Sequence, residues 1–295
     1  MSREAAFIEG LRVLAGHPAA RGLADDAAVL TVGGETLVLT HDMLVEGVHV
    51  LPGQDPADIA WKLVATNLSD LAAKGTEPVG VLLGHMLGAD DERFLGGLAE
   101  VLRIHKVPLL GGDTVSGGPP RSWGLTAIGR ATHCPVPGRD GAQPGDGLWV
   151  TGTLGAALAG FEALRDGTGG GTGADSAAYR RPVPLLAEGR ALAPLVTAMM
   201  DVSDGLLLDA WRLAEASGVS IAIDTHAVPI ALPDRRRLQA LSWGDDYQLL
   251  FTLPPGATPP VPATQVGQVE QRGFVPMFVD GQPVANAGGL GWQHD

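Results

Sequence analysis

The sequence predicts a mixed α/β (α+β) fold in two domains, and three observations carry that expectation. Strand and helix patterns are interleaved through both halves of the chain. The stretch HCPVPGRDGAQPGD, with three prolines, three glycines and no apolar period, separates the halves. The length, 295 residues, is about twice that of one ordinary domain. The expected domains are residues 1–135 and 140–295.

The elements follow in order. Residues 3–16 read as a helix with Phe7, Leu11 and Leu14 on one stripe. GLADDAAVLTV is a turn entering a strand, and TLVLTHDMLVEGVHV reads as strand, interruption, strand. Asp55 before Pro56, with Asp58 three residues on, is an N-cap, a first-turn proline and a first-turn acid; the helix runs from about 56 to 74 and stops at Gly75. EPVGVLLGHML is a buried strand, DERFLGGLAEVLRIHK a helix despite Gly96 and Gly97, VPLLGGDT a short buried strand, and SWGLTAIGRA a closing strand. Beyond the linker, GLWVTG is a strand and TLGAALAGFEALRD a helix, and TGGGTGADS is a loop. PLLAEGRALAPLV and DGLLLDAWRLAEASG are helices, and VSIAID, DDYQLLFTL, TQVGQV and VPMFVD are strands.

Composition narrows the function classes. The net charge of -13, from 33 Asp and Glu against 20 Lys and Arg, leaves no basic footprint for a nucleic acid. Hydrophobic residues at 45% argue against wholesale disorder, and 42 glycines without a three-residue period mean tight turns rather than collagen. The single cysteine, Cys134, precludes an internal disulfide and a cysteine-based zinc site and fits a reducing, cytoplasmic setting. The acidic, amphipathic start does not read as a signal peptide, and no apolar run approaches the ~18 residues of a membrane span. G-x-S-x-G and H-E-x-x-H are absent, and TGGGTG lacks the Lys-Ser/Thr ending of a phosphate loop.

The informative feature is a set of aspartates read at strand ends beside glycine or hydroxyl residues: Asp25 and Asp26, Asp42, Asp70, Asp113, and Asp201 with Asp204. Carboxylates meeting in one cleft repel unless protonated or bridged by cations, and all-oxygen ligation suits Mg²⁺ together with substrate phosphates. Aspartate is equally at home in turns and helix caps, and spacing alone does not bring these residues together. Asp70 shows the choice: it shares a helical stripe with Asn67 and Lys74, and either pairs with Lys74 at the surface or points into a cleft. In LLGGDT, Gly111 and Gly112 permit backbone amides to approach an anion while Asp113 holds its metal, or the segment is simply a capped turn.

Taken together, ADDAAVL (24–30), THDMLVEGVHV (40–50), NLSDLAAKG within 55–80, VPLLGGDT (107–114), GAQPGDGLWVTGTLGAALAG (141–160), MDVSDGLLLD (200–209), GDDYQLLFTLP (244–254) and the final GW resemble the thiamine-monophosphate kinase family. That family belongs to the ATP-binding superfamily that includes aminoimidazole ribonucleotide synthetase. The resemblance implies an aminoimidazole ribonucleotide synthetase-like fold: an N-terminal mixed sheet with helices that makes a homodimer, and an α/β C-terminal domain. It implies transfer of the γ-phosphate of ATP to thiamine monophosphate, with several Mg²⁺ ions. Asp26, Asp42, Asp70, Asp113, Asp201 and Asp204 match the family's metal-binding acids, and Thr40 and His41 its hydroxyl-rich metal-binding pair. Gly112, Asp113, Arg139 and Ser203 match nucleotide contacts. His49, Asp245 and Trp292 match positions around the thiamine phosphate.

Three positions depart from the family pattern. His41 stands where threonine is usual, so the ring is expected not to ligate Mg²⁺, with the backbone carbonyl or a water in its place. Asp245 stands for glutamate, and VSGG (115–118) replaces an expected Thr-Arg. A substrate phosphate dianion is already a nucleophile, so direct in-line transfer needs charge neutralisation and no general base. The rival readings are another ATP-dependent synthetase of the superfamily, or a non-catalytic thiamine-phosphate or nucleotide binder.

Overall fold

In a computed structural model, which describes residues 3–167 and 174–294, two mixed sheets are joined through one buried helix. The elements are α1 (Arg3–Arg12), β1 (Ala28–Val32), β2 (Glu35–Val45), α2 (Pro56–Ala73), β3 (Thr76–Met86), α3 (Asp91–His105), β4 (Leu109–Val115) and β5 (Ser122–Ala131). The second half has β6 (Gly147–Thr151), α4 (Ala156–Arg165), α5 (Ala177–Arg180), α6 (Leu186–Leu192), β7 (Ala198–Asp201), α7 (Leu206–Ser217), β8 (Ser220–Ile223) and α8 (Arg237–Ser242). It closes with β9 (Leu249–Leu253), β10 (Ala263–Glu270), β11 (Met277–Val279) and β12 (Gln282–Val284). The first sheet has the order β1-β2-β5-β3-β4 and the second β12-β11-β8-β10-β6-β9-β7. Among the strands of the described residues, only β3–β4 and β8–β11 pair in parallel.

Helix α2 is the hinge of the architecture. Asp55 caps it by accepting from the Ala57 amide at 2.9 Å, and Pro56 opens it. Leu63, Val64, Leu68 and Leu71 pack on Val38, Val81, Leu125 and Ala127 of the first sheet. At its C-terminal end Ala72 and Ala73 pack with Leu192, Met199 and Phe251 of the second half. Gly97 lets α3 cross it closely, since a Cβ there would strike the Ala57 backbone. A helix covered on every side must also bury its polar residues, and those residues turn out to face the functional site.

The structure departs from the sequence pattern in four places. Helix α1 ends at Arg12, and its apolar stripe is open to solvent, with Phe7 68% and Leu14 81% exposed. Apolar periodicity marks a face without saying what covers it. The segment 36–50 is one strand followed by a turn in which Glu46 bridges Val50. Strand β4, expected to be buried, is an exposed sheet edge, with Leu109 and Leu110 about half exposed. The short strands β7 and β12 and the short helices α5 and α8 go beyond those marked by pattern. The expected glycine-rich loop at 168–173 lies outside the described residues.

Candidate active site

The predicted aspartates arrive from different kinds of element. Asp26 precedes β1 and Asp201 ends β7, as strand-end residues should. Asp42 lies inside β2, Asp70 inside α2 and Asp113 inside β4, so the common strand-end origin does not hold. What unites three of them is convergence: carboxylate oxygens of Asp26, Asp70 and Asp201 all lie within 4.8 Å of one another. This is an all-oxygen donor set of the kind that suits a hard divalent cation.

Neighbouring groups aim these carboxylates. Thr40 Oγ1 donates to Asp70, and Ser69 Oγ donates to Asp201 Oδ2 at 2.6 Å. Arg139 binds Asp26, and Lys74 Nζ lies 2.6 Å from Asp26 Oδ2. Lys74 also reaches Asp25 and the Met199 carbonyl. Asp70 therefore has no surface pairing with Lys74: it points into the cleft, and the fully buried lysine serves the aspartates ahead of β1 instead. The Asp42 amide donates to Asn67 Oδ1 at 3.1 Å, fixing β2 against α2 beside the cluster.

The charges are strongly unequal. Burial works to raise the Asp26 carboxyl, but Arg139 and Lys74 overcome it and hold it down at about 2. Burial, then repulsion from Asp26 and Asp204, pushes Asp42 up to about 6. Burial first, and the neighbouring carboxylates second, raise Asp70 and Asp201 well above the ordinary range. Such a cluster holds protons at neutral pH or takes up positive charge.

Asp204 stands to one side, bound by Arg212, which also reaches Asp209 Oδ1 at 3.1 Å. Asp209 is buried and pushed up to about 7, by burial first and by Asp204 next. Ser203, between Val202 and Asp204, accepts the Asp245 amide at 2.8 Å. Gly244 is needed there: its φ is +91, and a Cβ would collide with the Ser203 and Asp204 backbone.

Besides Asp204, the predicted residues His41 and Asp113 stand apart from the cluster. His41 and Asp42 are neighbours on β2, so the pleat sends them to opposite faces. The His41 ring lies on the outer face and pairs through Nδ1 with Thr126 Oγ1 at 2.9 Å. Asp113 sits on the exposed edge strand beside Gly112. Register carries Gly112 to Leu83, Leu125 and then Asp42, three strand spacings or roughly 14 Å.

The predicted substrate residues do assemble. His49, in the turn after β2, faces the His294 ring at 5.3 Å between centroids, and Trp292 stands edge-on to His294 at 6.0 Å. The Trp292 amide donates to the Asp204 carbonyl at 2.9 Å, tying this wall to the acidic side. Asp245 accepts from Lys62 Nζ at 2.7 Å and from the Tyr247 hydroxyl at 2.8 Å. Sequence reasoning missed Lys62, Tyr179, Tyr247, Ser69 and Arg212. One signal was available: Lys62, Thr66, Asp70 and Lys74 recur every four residues along a mostly apolar helix.

Known proteins resemble this chain along most of its length. The family model for the N-terminal domain of AIR synthase related protein matches residues 24–131, and that for its C-terminal domain matches 143–276. The thiamine-monophosphate kinase of Salmonella typhimurium is 37% identical over 249 residues, covering 79% of this chain and 76% of that one. The thiamine-monophosphate kinase of Caulobacter vibrioides is 36% identical over 305 residues, covering 95% and 86%. A solved structure of AaThiL complexed with AMPPCP and TMP superposes with a TM-score of 0.86 at 30% identity, covering 98% of this chain and 96% of that one. The chain belongs to the AIR synthase related family, on its thiamine-monophosphate kinase branch.

Proposed function

We propose that this chain transfers the γ-phosphate of ATP to thiamine monophosphate, giving thiamine diphosphate and ADP. The observation that carries the reading is the convergence of Asp26, Asp70 and Asp201 beside a wall built from His49, Asp245 and Trp292. The likeness to thiamine-monophosphate kinases, and to a structure holding an ATP analogue and TMP, supports it. Residues 1–135 form the nucleotide and metal unit in this reading. Residues 140–295 add further metal and substrate groups.

Asp26, Asp70 and Asp201 are the residues to hold Mg²⁺, with Asp42 and Asp204 as further acids. Thr40 bonds to Asp70 and the His41 ring is turned away, so only the His41 backbone carbonyl is proposed as a contact from that residue. When bound, Mg²⁺ neutralises the phosphate charges that an acidic protein would otherwise repel. Arg139, Ser203, Gly112 and Asp113 are proposed to contact the nucleotide. The chain's own work is positioning. A phosphate oxygen of the substrate forms the new bond to the γ-phosphorus, while the bond from that phosphorus to the bridging oxygen of ADP breaks. With the substrate phosphate already a dianion near neutrality, no protein group has to take a proton. His49 fits this role: burial and then His294 lower its pKa, and its Nδ1 accepts the Val45 amide at 3.1 Å.

The same chain is proposed to form a homodimer through the outer face of the first sheet. His41, Met43, Leu82 and Leu110 are exposed there, while α2 and α3 cover the other face, and apolar side chains gathered on an open sheet face mark a contact surface. Light scattering should give twice the 30.4 kDa chain mass, and Met43→Asp should halve it.

The deciding assay supplies ATP and Mg²⁺ with thiamine monophosphate, and in parallel with aminoimidazole ribonucleotide precursors. Thiamine diphosphate and ADP in equal amounts are expected from the first alone. Binding of thiamine monophosphate without turnover, or turnover of the other acceptors, overturns the proposal.

A further inference from the structure

Lys62, like Lys74, is a fully buried charged side chain, and metal binding gives it no task. Its side chain is 0% exposed, on the first half of α2. Nζ donates to Asp245 Oδ2 at 2.7 Å and to the His49 carbonyl at 3.0 Å, and stands 4.0 Å from the centre of the Tyr179 ring. All three N–H directions of the ammonium are therefore met: by a carboxylate, a carbonyl and a π face. Tyr179 adds a bond of its own, its hydroxyl donating to the same His49 carbonyl at 3.2 Å. Asp245 is held on its other oxygen by the Tyr247 hydroxyl at 2.8 Å.

These contacts span elements that share no backbone connection nearby. Lys62 belongs to α2, His49 to the turn after β2, Tyr179 to α5, and Asp245 to the loop before β9. Asp245 has a φ of +59, an unusual backbone for aspartate, so its carboxylate is aimed by its partners rather than by its rotamer alone. With 25% of its side chain exposed, Asp245 is the member of the group that reaches the cleft. A buried ion pair is a poor way to gain stability when leucine could fill the same volume. The arrangement is better suited to orienting a group.

We infer that Lys62 is a positioning residue for the thiamine side of the reaction, fixing Asp245 and the His49 turn together and cancelling the charge of Asp245. This inference rests on the reading of the His49–Asp245–Trp292 wall as the thiamine monophosphate site. A neutralised, immobile carboxylate offers hydrogen-bond acceptors in one direction. A free one attracts any cation and adopts many orientations.

The test is steady-state kinetics on the full chain with Mg²⁺, for wild type, Lys62→Met, Asp245→Asn and the double variant. Lys62→Met is expected to raise KM for thiamine monophosphate at least tenfold while KM for ATP stays within twofold. The double variant should match Asp245→Asn alone, because one residue acts through the other. A rise in both KM values together, or additive effects, overturns the inference. If Lys62→Met does not fold by circular dichroism, Tyr247→Phe frees Asp245 from the other side and should raise the same KM severalfold; an unchanged KM counts against the inference. Wild-type turnover is the separate control. Its absence defeats the proposed function, whereas normal wild-type kinetics with an unaltered Lys62→Met defeat only the role of Lys62.

Discussion

Lys74 Nζ lies 2.6 Å from Asp26 Oδ2, and the two side chains are 0% and 1% exposed. A cation is thus built into the edge of the acidic cluster, and with Arg139 it holds down the pKa of the carboxylate it touches. Lys74→Met should destabilise the protein by about 3–5 kcal/mol, since it strands buried carboxylates. The acid limb should change too. The Asp26 pKa is lowered to about 2, so its stabilisation is complete above pH ~4 and disappears as pH falls from there to 2. Urea melts should show wild type losing on the order of 2 kcal/mol across that window and the variant losing less.

Asp42 has the opposite sign. Its folded pKa of about 6 exceeds the ordinary 3.8, so stability falls as pH rises from about 4 to 6 and stays low above that. In a chelating buffer at pH 7, Asp42→Asn should therefore gain about 3 kcal/mol. The same substitution should lower kcat by at least ~100-fold. Near-normal turnover at saturating Mg²⁺ would sink the role of Asp42 beside the metal.

Metal binding should release protons, because Asp42, Asp70 and Asp201 all hold them more tightly than free aspartate. Titration calorimetry in buffers of different ionisation enthalpy reads this directly. The number released should grow as the pH is lowered from 7.5 to about 6; no release at pH 6 would contradict the cluster's electrostatics.

His41→Thr should leave Mg²⁺-dependent activity and metal preference intact, because the ring faces Thr126 on the outer side of the sheet. A wild type that favours Mn²⁺ or Co²⁺, with a variant that reverts to Mg²⁺, would show the ring to be a ligand after all.

The pH profile of kcat should rise near the second pKa of the substrate phosphate, about 6, and then level off. His49→Gln should keep that rise. Its loss would reveal a general base.

Much of this was legible from residue types. The aspartates, the α2 cap and the family segments were plain in the sequence, and the chemistry of Mg²⁺ already argued against the His41 ring as a ligand; that the strand turns this ring to the opposite face from Asp42 came from the structure. What could not be read was direction on a helix buried all round. Asp70 and Lys74 sit four residues apart, the spacing of a surface pair, yet β2, β7 and the loop before β1 offer stronger partners on different sides. Strand β4 is rich in leucine without being covered, because sheet order, not local pattern, decides which strand is the edge. Lys62 stayed hidden because its partners lie 13 and 183 residues away.

The alternation along β2 has a consequence for how this sequence can change. Thr40 and Asp42 serve the chemistry while His41 and Met43 lie on the surface proposed to meet a second copy, so two inscriptions share one strand, letter by letter. Point substitutions can revise either text without touching the other. The departure from threonine at position 41 is such an edit. Insertion or deletion of a single residue cannot be absorbed this way, because it would exchange the two texts along the rest of the strand. Length variation among relatives should therefore avoid residues 35–45 and gather in the turns on either side.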